Sequence, residues 1–260
     1  NSDKVPTKLL NLHRELFVTA DIFFINKMPF FLMISQKTCF TAVNHLVSRK
    51  VPDIFKAFEE IHQCHLQRGF RVTVIHMDGE FEPLKTMIEA MPGGPAVNLA
   101  SASEHVPEIE RRVRVAKERS RAVRHGMPFD RIPKLLTICI AFFVVKMSNF
   151  FPPKGGISET LSPKTIVSGE TLDCKKHLCM PIGQHCQVHE EEQPRNSQLA
   201  RTRGAISLGP SGNQQGGHRF VALNTGKKIT RRSWDMIPMP DAERTKFRTD
   251  VDKLQSIMMK

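Results

Sequence analysis

The stretch VTVIHMDGEFEPLK, residues 72–85, decides the fold that we predict for this chain of 260 residues. It opens with residues typical of a buried strand and then reaches Asp78, Gly79 and Glu80, a turn that carries two acids. A plain turn is one explanation, because Asp-Gly is a common turn dipeptide. The other is that the strand ends there to present Asp78 as one of several carboxylates that hold a metal.

The segments around this strand predict a mixed α/β layer fold in the first half of the chain. Hydrophobic periodicity, caps and breakers indicate strands on both sides of a tight turn at residues 26–29 and further strands at 38–46, 70–77 and 96–100. The same signals indicate helices at 52–68, 82–91, 103–125 and 130–149, with Ser103 as a cap of the long third helix. The apolar run at 135–145 is too short to cross a bilayer, so we expect a buried helix there and no membrane partner.

The composition changes after Phe151. Residues 151–179 are rich in Pro, Gly and Ser and predict a linker. From about Met180, short strand-like pieces separated by Gly predict a small antiparallel sheet or barrel. The expected organisation is a core at 1–150, the linker at 151–179, a β module at 180–240 and a charged tail at 241–260.

The positive charge of the chain is concentrated in two stretches. The formal net charge is +12; residues 111–134 carry nine Lys/Arg against Glu118 and Asp130, and residues 193–234 carry eight Lys/Arg and no acid. Basic residues clustered in a chain that is otherwise nearly neutral indicate a polyanionic partner, and nucleic acid is the first candidate. A solvated basic surface is the alternative.

Three carboxylates from distant parts of the chain form the predicted site. Asp21 lies inside an apolar strand, Asp78 ends another, and Glu110 is on the long helix. Singly, each has an ordinary explanation as an edge, turn or surface residue. Together they form a set of hard oxygen donors suited to Mg²⁺ or Mn²⁺, and paired divalent ions support in-line phosphoryl displacement. Three bases follow Glu110 along the helix at successive offsets of four, three and four residues, so they lie on the same helix face as Glu110: Arg114, Lys117 and Arg121. On that face the bases would contact a phosphate backbone.

These residues stand in three blocks, VTADIFFIN, IHMDGEF and VPEIERRVRVAKER, at 18–26, 75–81 and 106–119. In this order the blocks resemble the catalytic core of Ty1/copia-type LTR retrotransposon integrases. The resemblance implies an RNase H-like mixed sheet flanked by helices, followed by an SH3-like β-barrel. It implies that Asp21, Asp78 and Glu110 bind two Mg²⁺, with Glu80 and Phe81 as structural neighbours.

The same resemblance implies an activity and partners. The family trims the 3′ ends of element DNA and uses the new 3′-OH to attack target DNA. The implied partners are element ends, target DNA and further copies of the chain. The implied location is the nucleus when active, or a cytoplasmic particle, and not outside the cell.

Two alternatives remain open. The chain has no Tyr, and His stands where relatives often have Tyr, so it could be a catalytically decayed, DNA-binding remnant. Six Cys without a secretory signal indicate free thiols. Cys and His residues crowded between 174 and 189 raise a zinc-stabilised interaction module as a third function, although their spacing matches no standard finger: Cys174, His177, Cys179, His185, Cys186 and His189.

Overall fold

The computed structural model describes residues 7–100, 107–127, 129, 131–190, 198, 200–213 and 215–245. The chain divides into two compact units. The first consists of residues 1–119 and 144–171, and the second of residues 120–143 and 172–260. Two of the three boundaries between them fall inside helices, α4 (Pro107–His125) and α5 (Lys134–Ser148), and the third lies between residues 171 and 172.

The first unit is built on a five-stranded mixed sheet with the order β3-β2-β1-β4-β5. Its strands are β1 (Glu15–Ile25), β2 (Met28–Ser35), β3 (Thr41–His45), β4 (Arg71–Asp78) and β5 (Ala96–Ala100). The first three are antiparallel, whereas β4 runs parallel to β1 and β5 runs parallel to β4. This sheet, with its helices, confirms the predicted mixed α/β class and the strand predicted at 96–100.

A two-residue turn joins β1 and β2. Asn26 and Lys27 both have left-handed backbones, with φ of 49° and 66°, and Ile25 pairs directly with Met28. Two positive φ values in a two-residue loop give a turn whose twist matches that of the strands. The turn is shorter than the predicted break at 26–29, because Met28 and Pro29 already belong to β2.

Three helices of the first unit follow the predicted order: α2 (Val51–Leu66), α3 (Glu82–Glu89) and the first part of α4. A further helix, α1 (Thr7–His13), was not predicted. In α2, Pro52 lies in the first turn, and the chain reverses at Gly69, where φ is 81°. The predicted cap Ser103 lies outside the described residues, so the start predicted for α4 stays a prediction.

One face of the sheet forms the core of the first unit. The buried residues of this face alternate along β1 and, apart from one irregularity after Val72, along β4: Leu16, Val18, Ala20, Ile22, Val72, Ile75 and Met77. They pack with the apolar face of α2, which includes Ile54, Phe58 and Ile61. Because side chains alternate along a strand, Thr19 and Asp21 of β1 lie on the opposite face of the sheet.

The segment predicted as a linker contains two short helices, α6 (Pro163–Ser168) and α7 (Cys174–His177). The Ser162 hydroxyl accepts a hydrogen bond from the Thr165 backbone N–H at 3.1 Å and caps α6. Ile166 and Val167 are buried in the core of the first unit. The segment that was predicted as a linker from its Pro and Gly content therefore contains a capped helix with buried apolar residues.

The second unit contains an antiparallel sheet with the order β10-β6-β7-β8-β9. Its strands are β6 (His185–His189), β7 (Thr202–Pro210), β8 (His218–Ala222), β9 (Lys228–Arg231) and β10 (Trp234–Met236). Its small core includes Cys186, Val188 and Phe220. The antiparallel β module is observed, and its identity as an SH3-like barrel stays a prediction.

The apolar run at 135–145 lies within α5, as expected of a helix. Among the described residues, no helix has the combination of length and hydropathy needed to cross a bilayer.

Candidate active site

Asp21 and Asp78 are placed by the parallel pairing of β1 with β4. The last recorded pair is Thr19 with His76. Asp21 and Asp78 each follow two residues later, so both lie on the face opposite the core. Because neighbouring strands are separated by roughly 4.8 Å, this register brings the two carboxylates to the same end of the sheet.

The turn after β4 is a capped structural turn that leaves Asp78 exposed. The Asp78 carboxylate accepts a hydrogen bond from the Gly79 N–H at 2.7 Å and caps the short 3-10 turn Gly79–Phe81. Phe81 is buried and meets Phe31 edge to face, with 6.4 Å between ring centroids. Asp78 itself is exposed. The plain-turn explanation therefore holds, and the turn still leaves Asp78 open to solvent at the sheet edge.

Several charges act on Asp21. Burial is the largest cause that raises the pKa of its carboxyl above the ordinary value. The Ile22 N–H, which donates to Oδ1 at 2.7 Å, opposes that rise. The negative charges of Glu80 and then Asp78 raise the pKa further, and Lys117 lowers it. Three carboxylates and one ammonium group thus share one electrostatic neighbourhood.

Glu80 is the member of this neighbourhood that the sequence did not assign to the site. Its side chain forms an ion pair with Arg49, a residue of the segment between β3 and α2. The only sequence signal for Glu80 was its position as the second acid of the Asp-Gly-Glu turn. The family resemblance implies that Glu80 is a structural neighbour of the site. Phe81, the other predicted neighbour, is structural as expected.

Glu110 lies in the first turn of α4 and is exposed. Lys117, which acts on Asp21, is seven residues further along the same helix, or about 10 Å along its axis. Within the described part of the chain, no three His, Cys, Asp or Glu side chains are grouped closely enough to hold a metal ion. The carboxylates have the donor chemistry that Mg²⁺ prefers, but the role of Glu110 as third ligand stays a prediction.

The predicted basic face of α4 is exposed. Arg114, Lys117 and Arg121 are all solvent-accessible, whereas Ile109 and Ala116 are buried. The helix therefore packs with its apolar residues and presents the three bases outward. Their proposed contact with DNA rests on this exposure and on the position of Lys117 beside Asp21.

The Cys and His residues between 174 and 189 make contacts other than a shared metal site. Cys186 is buried, and burial raises the pKa of its thiol to about 12. Its neighbour His185 lies 2.7 Å from the Glu243 carboxylate. The Cys179 sulfur lies 3.8 Å from Nε2 of His218. A zinc module at these residues has no support from the described geometry.

Comparison with solved structures finds a similarity to the catalytic core domain of BIV integrase. The match has a TM-score of 0.40 and 12% sequence identity, and it covers 58% of this chain and 92% of that chain. No protein-family model matches the chain, and no curated protein matches it.

Proposed function

We propose that this chain is a retrotransposon-type integrase, a Mg²⁺-dependent polynucleotidyl transferase that joins element DNA to target DNA. One observation carries the proposal. Asp21 and Asp78 each follow the last pair of β1 with β4 by two residues, and the charges of Asp78 and of Lys117 on a basic helix both act on Asp21. Acids that converge beside exposed bases are what metal-assisted chemistry on a phosphodiester requires.

Asp21 and Asp78 would hold the metal, with Glu110 as the predicted third ligand. Mg²⁺ is the expected ion, and Mn²⁺, which takes the same oxygen donors, is the alternative. When bound, such ions activate the attacking hydroxyl and stabilise the leaving oxygen of an in-line displacement.

The remaining steps belong to the side chains around the acids. Lys117 offsets part of the negative charge at Asp21 and can bind a phosphate oxygen next to it. Arg114 and Arg121 extend the positive charge along α4 and would fix the position of the DNA backbone.

A second function, DNA binding without catalysis, is favoured by a different observation. The described residues contain no group of three side chains close enough to hold a metal ion, which fits a catalytically decayed copy of the element. A chain with this function would bind DNA through the basic face of α4 without catalysing strand transfer.

Strand transfer measured on the purified chain with Mg²⁺ and labelled DNA ends separates the two functions. If the chain is an enzyme, Asp78→Asn reduces joining by roughly 100-fold or more, because it removes charge at the reacting centre, and leaves DNA binding intact. Asp241→Asn, at an exposed carboxylate next to Arg244, is the matched control and should retain activity. Salt-dependent DNA binding without joining by the unmodified chain would establish the remnant instead.

The proposal extends to the surroundings of the enzyme. The partners would be element ends, target DNA and at least one further copy of the chain, because joining two ends requires more than one active site. The β module would form the SH3-like barrel that follows the core in this family. The proposed location is the nucleus, or a cytoplasmic particle before entry.

A further inference from the structure

Arg49 lies in a short segment that is fixed against the start of α2. The Ser48 hydroxyl donates to the Asp53 carboxylate at 2.5 Å and accepts from the Lys50 backbone N–H at 3.2 Å. These bonds hold the backbone on both sides of Arg49. The Arg49 side chain is nonetheless 52% exposed, so a rigid backbone presents an accessible guanidinium.

Two contacts direct Arg49 towards the acid cluster. Its guanidinium pairs with the Glu80 carboxylate, and its Cζ lies 5.7 Å from the ring centroid of Phe24. Phe24 lies on the other face of β1 from Asp21, so the link to the acids is Glu80, whose charge acts on Asp21. Arg49 therefore stands at the edge of the same neighbourhood as Asp21 and Asp78, although it comes from a different part of the chain.

The chemistry of this arrangement suits a phosphate. A guanidinium donates two parallel hydrogen bonds to a carboxylate or a phosphate, so the Glu80 carboxylate is the internal equivalent of a phosphate group. Exposed ion pairs contribute little in water, so an incoming phosphate can replace this one. Phe24 is 44% exposed and offers an aromatic face beside the guanidinium.

We propose that Arg49 is a positioning residue for DNA at the Asp21–Asp78 site. Glu80 holds its guanidinium while no DNA is bound, and a backbone phosphate takes the place of the Glu80 carboxylate when DNA binds. The inference rests on the proposed function for its choice of DNA as ligand. Arg49 would supply a phosphate contact from the segment between β3 and α2. This contact is additional to those made by the bases of α4.

DNA binding by the full chain in EDTA, measured by fluorescence anisotropy over a range of salt concentrations, tests this role without requiring catalysis. Arg49→Gln should weaken binding roughly five- to tenfold near 0.1 M salt and reduce the slope of log K against log[salt] by about one. Arg49→Lys should keep the slope, because it keeps the charge, and bind with intermediate affinity. Arg71→Gln, at the opposite end of β4 from Asp78, is the matched control and should leave the slope unchanged.

The Glu80 side of the exchange has its own test. Glu80→Gln should tighten DNA binding roughly threefold, and this gain should shrink when Arg49→Gln is added. Glu82→Gln, which removes a neighbouring exposed acid, measures the general effect of one fewer negative charge. Thermal unfolding confirms that each variant is folded.

The proposal is overturned if folded Arg49→Gln binds DNA with the affinity and salt slope of the unmodified chain. It is also overturned if the gain from Glu80→Gln equals that from Glu82→Gln and persists without Arg49. Failure of the enzyme proposal is a different result, because a chain without strand transfer can still show the Arg49 dependence of binding in EDTA.

Discussion

Asp21 is surrounded by groups that push its ionisation in opposite directions. Burial, Glu80 and Asp78 raise the pKa of its carboxyl, while the Ile22 N–H and Lys117 lower it. Replacing Glu80 by Gln should therefore lower the pKa of Asp21, and replacing Lys117 by Met should raise it further. Carbon-13 NMR of labelled Asp carboxyls, titrated without metal, measures both shifts.

Glu82→Gln serves as the control for the Asp21 titration, because Glu82 is exposed and does not act on Asp21 in the structure. If Asp21 titrates identically in the unmodified chain and in the Glu80→Gln and Lys117→Met variants, then Glu80 and Lys117 do not share an electrostatic neighbourhood with Asp21.

Single residues also show where sequence reasoning reached its limit. Asp21 and Asp78 could be predicted as a pair, because each stands at a recognisable point of an apolar strand. Arg49 could not be connected to Glu80, since 31 positions separate them and only the folded chain brings them together. The alignment of Asp21 with Asp78 also depends on an irregularity in strand pairing between Leu16 and Phe17, which no periodicity reveals.

At the scale of elements, α2 contains two buried histidines on the face that packs into the core. Burial lowers the pKa of His65 from its ordinary 6.5 to about 4, and it also lowers the pKa of His62. His65 Nδ1 lies 3.0 Å from the Ile61 carbonyl oxygen, and the His65 ring meets Phe40 edge to face. Because a carbonyl oxygen only accepts, the Nδ1 of a neutral His65 carries the proton.

The sign of the resulting pH dependence follows from linkage. Between pH 6.5 and about 4 the unfolded chain binds a proton at His65 that the folded chain does not, so stability falls as the pH falls through this window. We expect His65 alone to lower the free energy of unfolding by about 2 kcal/mol between pH 7.5 and pH 5. Urea unfolding at the two pH values measures this loss.

The variant His65→Leu should remove that part of the pH dependence, whatever its effect on stability at pH 7.5. His125→Leu, at an exposed position near the end of α4, is the matched control and should follow the unmodified chain. An unchanged difference between the two pH values in His65→Leu would show that His65 is not held neutral by the core.

Elements with a strong local signal could be predicted from the sequence, and those without one could not. The β1–β2 hairpin and α2 have apolar periodicity and clear breakers, so their existence and order were predictable. β6 reads HCQVH, which resembles a metal-binding motif more than a strand, and its assignment depends on pairing with β7. The helix α6 was hidden by the surrounding Pro and Gly residues, and burial of Ile166 and Val167 supports it instead.

For the whole molecule, charge is the property most closely tied to the proposed function. The net charge of +12 is concentrated in two stretches, one on and after α4 and one in the β module. Part of the second is neutralised internally, because Arg203 and Arg231 both pair with Glu190. The formal charge counted along the sequence therefore overstates the positive charge of the β module that is available to bind DNA. The structure is needed to distinguish the paired bases from the exposed ones.

The bases of α4 have a measurable share in DNA binding if the proposal is right. Each phosphate contact contributes roughly 0.9 to the slope of log K against log[salt] on duplex DNA. Changing Arg114, Lys117 and Arg121 together to Gln should therefore reduce that slope by roughly 2 to 3 units. The triple change of Lys56, Lys85 and Lys154 to Gln removes the same charge at exposed positions outside both basic stretches, and it should alter the slope by less than about one. Equal slopes for the two triple variants would mean that DNA responds to the net charge of the molecule, and α4 would then have no special place in binding.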